Sequence, residues 1–230
     1  ISRGYRGDGQ EQEVLANSVP SQVGDEPIFI SKKTLSPVWV GPSRIKAAQH
    51  LLTRYPNVNV IISDDGLQHY ALKRDIEVIV IDGSRKFGNG FLLPSGPLRE
   101  SKKRIHECDL AVINGSERLA LSIPTINMTL VGEIFHNLSN PDRTCNVSDL
   151  CRREVAAIAG IGNPERFFLH LESLGLKPKT HSFPDHHEYS ISDITSIEQD
   201  IILMTEKDAV KCPIASGKEC WFLPVHAEFN

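Results

Sequence analysis

The sequence predicts an α/β protein, with a mostly parallel sheet, flanking helices and a smaller C-terminal α/β domain. Short β-rich apolar runs alternate along the chain with segments of helical period, the order that builds parallel sheets. The runs are continuous rather than alternately apolar and polar, as strands covered on both faces require. With 230 residues, 40% hydrophobic and 23% charged, the chain has room for two modest cores and the balance of an ordinary globular protein.

In chain order, Pro37-Val38-Trp39-Val40 reads as a strand, and Pro42-Ser43 opens a helix with Ile45, Ala48, Leu51 and Leu52 on one face. Residues 58–62 and 77–81 are two further buried strands, a charged helix covers about 98–108, and residues 110–113 form another strand. Polar turn residues then surround one extended stretch at 125–130, which places an interdomain connection there. The expected division is a first domain over 1–125, a linker over 126–152 and a C-terminal α/β domain over 153–230. In the last of these, strand 155–159 runs into the turn Gly160-Ile161-Gly162-Asn163-Pro164 and a helix carrying Phe167, Phe168, Leu171 and Leu174. Strands 201–204 and 220–225 complete it.

Composition removes several function classes. A formal net charge of −4 and a pI near 6.1 lack the basic footprint of a nucleic-acid binder, so no nucleic-acid partner is expected. No run approaches the roughly 18 apolar residues of a membrane span. Cys108, Cys145, Cys151, Cys212 and Cys220 form no C-x-x-C pair, the usage of free thiols in a reducing cytoplasm.

The chemistry-bearing strings are few. Ile61-Ile62-Ser63-Asp64-Asp65-Gly66 ends an apolar run in carboxylates, where open α/β sheets bind ligands and where an Asp can hold Mg²⁺ directly or through water. A solvated Asp-Asp-Gly turn has the same sequence. Gln68 and His69 add polar groups beside it. Val23-Gly24-Asp25-Glu26-Pro27 offers a carboxylate suited to general-base work on a hydroxyl, or plain acidic residues at the start of a Pro-initiated helix. Asp185-His186-His187 suits proton transfer, metal ligation or a surface loop. Arg99 and Arg104 are cations able to grip phosphate bidentately, with Lys102 and Lys103 on a solvated face. Residues 205–211, Thr-Glu-Lys-Asp-Ala-Val-Lys, follow a buried strand and read as a capped helix start, with Glu206-Lys207-Asp208 as ion-paired surface. The phosphate loop G-x-x-x-x-G-K-[ST] does not occur in the 230 residues.

Taken in order, these strings resemble the tetraacyldisaccharide 4′-kinase (lipid A 4′-kinase) family. The matching segments are Ser2-Arg3-Gly4-Tyr5, Val23-Gly24-Asp25-Glu26-Pro27, Asp64-Asp65-Gly66-Leu67-Gln68-His69 and Phe87-Gly88-Asn89-Gly90. They continue through Leu92-Leu93-Pro94-Ser95-Gly96-Pro97-Leu98-Arg99-Glu100, Gly160-Ile161-Gly162-Asn163-Pro164, Asp185-His186-His187 and Thr205-Glu206-Lys207-Asp208-Ala209. The resemblance implies a P-loop-kinase-like core, incomplete here, and transfer of the ATP γ-phosphoryl group to the 4′-hydroxyl of an acylated glucosamine disaccharide lipid. By the same resemblance, Asp25 is the base and His186 its partner. Asp65, Asp64 and Glu26 form the Mg²⁺ shell, Gln68 and His69 line the nucleotide site, and Arg3, Tyr5, Arg99 and Arg104 face the substrate. It further implies a cytoplasmic monomer, peripheral at the inner face of the inner membrane through an N-terminal segment.

In the family a P-loop precedes Ser-Arg-Gly-Tyr, behind a hydrophobic helix that meets the lipid. Neither is in this sequence, so the chain is expected to be a fragment that is not a competent kinase alone. Two rivals remain. One is a metal-dependent phosphoesterase using Asp64, Asp65 and Asp185-His186-His187; the other is a non-enzymatic glycolipid-binding fragment.

Overall fold

The computed structural model describes residues 1–230. Its first elements are β1 (Gln12–Glu13), α1 (Pro20–Val23), α2 (Asp25–Thr34), β2 (Trp39–Val40), α3 (Arg44–Arg54) and β3 (Val78–Asp82). A 3-10 helix (Lys102–Glu107) leads to β4 (Leu110–Asn114), β5 (Thr125–Val131), β6 (Ile134–Asn137), β7 (Thr144–Asn146) and α4 (Val147–Leu150). Then come β8 (Val155–Ala159), α5 (Pro164–Ser173), β9 (Lys179–Ser182) and α6 (Ile191–Thr195). The chain ends with β10 (Ile201–Thr205), α7 (Glu206–Ala209), β11 (Glu219–Leu223) and β12 (His226–Phe229). Two compact units result, residues 1–66 with 132–224, and residues 67–131 with 225–230.

The first unit is built on a six-stranded sheet in the order β7-β6-β11-β10-β8-β9. Strands β9, β8, β10 and β11 are parallel, and β6 and β7 are added antiparallel. The central strands β8 and β10 are buried almost throughout, as their continuous apolar sequences demand. Each large aliphatic side chain buried there contributes about 1.5–3 kcal/mol. A second small core of Val14, Val23, Ile28, Val38 and Val40 packs α2 against the β1–β2 pair.

Helix α3 begins where Pro42-Ser43 placed it, with the Ser43 hydroxyl accepting the Lys46 N–H at 3.3 Å. Its inward face is rotated from the expected one. Arg44, Ala47, Ala48 and Leu51 are buried, whereas Ile45 and Leu52 are exposed. The reason is Arg44, which donates to the carbonyls of Gly41 (3.1 Å) and Asp64 (3.3 Å) and so occupies a slot that hydropathy assigns to an apolar side chain. Residues 58–62 form no strand. Val60 and Ile62 are exposed, and the main-chain partner there is the single residue Ile1, whose ammonium donates to the Ile62 carbonyl (2.7 Å) and whose carbonyl accepts the Asp64 N–H (2.9 Å). A strand needs a ladder of partners along its length.

The second unit carries a four-stranded sheet, β12-β5-β4-β3, with β3, β4 and β5 parallel and β12 antiparallel. Ala111 and Ile113 of β4 are fully buried, but Val78 and Val80 of β3 are exposed, so β3 is not the doubly covered strand its composition suggests. The charged helix shrinks to the six-residue 3-10 turn at Lys102–Glu107, capped by Ser101. The expected linker over 126–152 contains β5, β6, β7 and α4, shared between the two sheets, and the last strand of the chain joins the sheet of the second unit.

Candidate active site

Asp25 is the first residue of α2, where the helix dipole favours negative charge. Gly24 before it adopts φ +86°, and a Cβ there would lie 2.7 Å from the Tyr5 carbonyl oxygen, so only glycine delivers Asp25 in this position. Gly24→Ala is expected to lower unfolding free energy by about 1–3 kcal/mol. A urea midpoint equal to that of the parent chain would contradict this.

Although 161 residues away in sequence, His186 places Nδ1 2.9 Å from both carboxylate oxygens of Asp25. Facing a carboxylate, Nδ1 carries the proton and donates, which leaves Nε2 as the second functional atom of the ring. The His186 backbone is held at φ +58°, a sparsely populated region for a residue with a side chain. Two hydrogen bonds keep it there: its N–H donates to the Gly160 carbonyl (3.1 Å), and its carbonyl accepts from Arg6 Nη1 (3.0 Å). Tyr5, itself exposed, sets its ring 5.4 Å from the imidazole. Asp25 is 5% exposed. Its burial would raise the carboxyl pKa, but the His186 hydrogen bond and the charges of Lys207, His186 and Lys211 outweigh that and hold it below the usual carboxylate range.

Sequence reasoning missed the support beneath this pair. Asp208, read with Glu206 and Lys207 as ion-paired surface, is fully buried, and the Lys211 side chain beside it is buried too. Lys211 Nζ stands 3.5 Å from Asp25 Oδ2 and 3.3 Å from Asp208 Oδ1. Glu206 and Lys207 do pair at the surface, with Lys33 (2.9 Å) and Glu26 (2.7 Å) respectively. The one available signal was the Asp208/Lys211 spacing of three, which sets opposite charges on one helical face directly after a buried strand.

Asp64 and Asp65 follow the extended segment, with Asp64 half-buried and Asp65 exposed. Ser2 Oγ donates to Asp64 Oδ2 at 3.1 Å. Burial pushes the Asp64 carboxyl up; the Ser2 hydrogen bond opposes, Glu26 and Asp65 add to the rise, and Arg44 opposes again. An acid whose folded pKa is raised loses stability as pH climbs through that pKa, and at pH below about 4 the difference vanishes. Asp64→Asn is therefore expected to raise Tm at pH 7 by about 1–4 °C, with no gain at pH 3. A lower Tm at pH 7 in calorimetry would contradict the sign.

No three His, Cys, Asp or Glu side chains group closely enough to hold a metal by themselves. Mg²⁺ does not need such a cage, because it usually takes one or two carboxylates plus water and substrate phosphates. The hard oxygens of Asp64 and Asp65 fit that demand. Glu26, expected in the same shell, is engaged by Lys207. For the phosphoesterase arrangement, no group of three such side chains includes Asp185, His186 or His187; His186 Nε2 lies 3.7 Å from Asp185 Oδ2, and His187 Nε2 lies 3.2 Å from Asp193 Oδ2.

In the second unit, Arg99 Nη1 donates to Gln68 Oε1 (3.1 Å), and Gln68 Nε2 donates to Glu100 Oε1 (2.7 Å), forming a chain that brings two expected site residues together. His69 is half-buried beside Gln68, and Arg3 in the first unit is exposed. The Arg104 guanidinium is ion-paired with Glu77 (2.5 Å), Glu107 (3.3 Å) and Glu100 (3.5 Å).

The crystal structure of LpxK from Aquifex aeolicus in complex with ATP matches this fold with a TM-score of 0.78 at 28% identity, covering 100% of this chain and 73% of that one. The architecture is accordingly that of the P-loop kinase class. Within it, the chain belongs to the tetraacyldisaccharide-1-P 4′-kinase family, whose profile matches residues 1–230. The tetraacyldisaccharide 4′-kinase of Methylobacillus flagellatus is 48% identical over 231 residues, covering 100% of this chain and 68% of the relative. That of Dechloromonas aromatica is 46% identical over 234 residues, covering 100% and 70%.

Proposed function

We propose that the chain supplies the acceptor-activating machinery of an ATP-dependent lipid kinase acting on the 4′-hydroxyl of a tetraacyl glucosamine disaccharide. The reading rests on one observation, the pairing of buried Asp25 with half-buried His186, in a chain whose relatives carry the name of that activity. Asp25 accepts the hydrogen bond of the sugar hydroxyl and aims its oxygen; as the new O–P bond forms and the bond to ADP breaks, the proton passes to the pair. His186 fixes the carboxylate through its Nδ1 proton and leaves Asp25 to take the hydroxyl proton. Phosphoryl transfer has a loose transition state, so positioning counts for more than basicity, and a carboxylate with a lowered pKa suffices. Asp64 and Asp65 would hold Mg²⁺, which neutralises phosphate charge. Gln68 and His69 are assigned to the nucleotide side, and Arg3, Tyr5 and Arg99 to the substrate side.

We further propose a monomer placed peripherally at the cytoplasmic face of the inner membrane, the peripheral placement following from the acylated substrate. All five cysteines are free thiols, and no helix is long and apolar enough to cross a membrane. Since the 230 residues contain no Gly-x-x-x-x-Gly-Lys-Ser/Thr sequence, the grip on the β- and γ-phosphates is assigned to such a segment joined ahead of Ile1. The test compares the chain alone with that P-loop-bearing form, using Mg-ATP and a tetraacyldisaccharide 1-phosphate. Turnover is expected from the joined form only. Equal turnover by the chain alone would overturn the fragment proposal, and ATP-independent phosphate release with Mn²⁺ or Zn²⁺ would favour the phosphoesterase.

A further inference from the structure

Lys211 is the most buried ammonium near the site, at 3% side-chain exposure. Its ammonium donates to the carbonyl of Gly160 (3.3 Å) and stands at ion-pair distance from two carboxylates, Asp25 Oδ2 (3.5 Å) and Asp208 Oδ1 (3.3 Å). Asp208 does not depend on Asp25 for its place. It is fully buried and accepts from the Gly160 N–H (3.2 Å) and from Thr205 Oγ1 (2.6 Å). The Gly160 carbonyl that receives Lys211 also receives the His186 N–H. Gly160 has no room for a Cβ, which would sit 2.9 Å from Tyr189 Oη and 3.2 Å from the Pro184 carbonyl oxygen. One ammonium thus touches the Asp25 carboxylate and the peptide that carries the His186 backbone.

We infer that Lys211 is the positioning residue of the Asp25–His186 pair, anchored by Asp208 and Gly160 so that both Asp25 oxygens stay on His186 Nδ1. The inference rests on the kinase reading for the role of Asp25. Lys207 also acts on Asp25 through its charge, but its ion pair is with Glu26 (2.7 Å), whereas that of Lys211 is with Asp25 itself. Arg6 reaches only the His186 carbonyl.

The test uses the P-loop-bearing protein with Lys211→Met, Lys211→Arg and Asp25→Ala, singly and combined. Lys211→Met is expected to lower kcat about 10–100-fold, with KM for ATP changed less than about twofold, and Lys211→Arg to recover part of the loss. In the Asp25→Ala background, Lys211→Met costs nothing further, because it acts through Asp25. An equal loss in both backgrounds, as a merely structural role would give, overturns the inference. Where Lys211→Met does not fold, Lys211→Met with Asp208→Asn removes the buried charge pair together. A readout independent of turnover is the His186 Nδ1 proton resonance in the chain itself. It should move in Lys211→Met towards its position in Asp25→Ala, and an unmoved resonance overturns the inference. If the resonance moves but Asp25→Ala retains full kcat, the kinase role of Asp25 fails while the positioning of the pair stands.

Discussion

Asp25→Ala in the P-loop-bearing protein is expected to lower kcat by about three orders of magnitude, with KM for ATP changed less than about twofold. The size follows from what the carboxylate does at once. It receives the hydroxyl proton, it orients His186 through contacts at 2.9 Å, and it balances Lys211. His186→Ala removes only the partner and should cost about 100-fold. The double variant should be little worse than Asp25→Ala, because residues that act as a unit are not additive. Tm values measured alongside separate a catalytic loss from unfolding. A raised KM for ATP with kcat intact would place Asp25 in nucleotide binding instead.

The largest stability loss is expected from Asp208→Ala, about 3–5 kcal/mol in unfolding free energy. Asp208 is fully buried, and its carboxylate accepts from the Gly160 N–H and Thr205 Oγ1 while pairing with Lys211. Alanine leaves the Gly160 N–H without its acceptor and one side of a buried ammonium unpaired, and each carries a desolvation penalty. Asp208→Asn, which keeps an acceptor oxygen, should cost less. Urea unfolding followed by far-UV circular dichroism measures both. A loss below about 1 kcal/mol for Asp208→Ala would mean that Lys211 is held without Asp208.

The sheet interior was legible because its cause is local. Runs 155–159 and 201–204 are apolar without interruption, and they became β8 and β10. Helix α3 was legible from its cap, but its buried face was not, since Arg44 satisfies its guanidinium on two carbonyls that hydropathy cannot see. The compact units divide elsewhere than at the 126–152 connection because β12 returns to pair with β5, and β6 pairs with β11 across more than 80 residues. Strand pairing at that range leaves no local pattern. Asp25 and His186 were named through the family resemblance of their motifs; nothing in either motif alone shows that they meet. Lys211 and Asp208 look like ordinary solvated charges in sequence, and only their burial under Gly160 shows otherwise.

The central claim, that the Asp25–His186 pair activates a sugar hydroxyl for attack on ATP, is tested most directly by product analysis. The P-loop-bearing protein and its Asp25→Ala variant are given Mg-ATP and a tetraacyldisaccharide 1-phosphate, and the lipid is followed by ³¹P NMR. The account predicts a new phosphomonoester resonance at the 4′-oxygen, matched by an equal amount of ADP and nearly absent in the variant. Equal product from the variant, or phosphate released from the lipid without ATP, would contradict it.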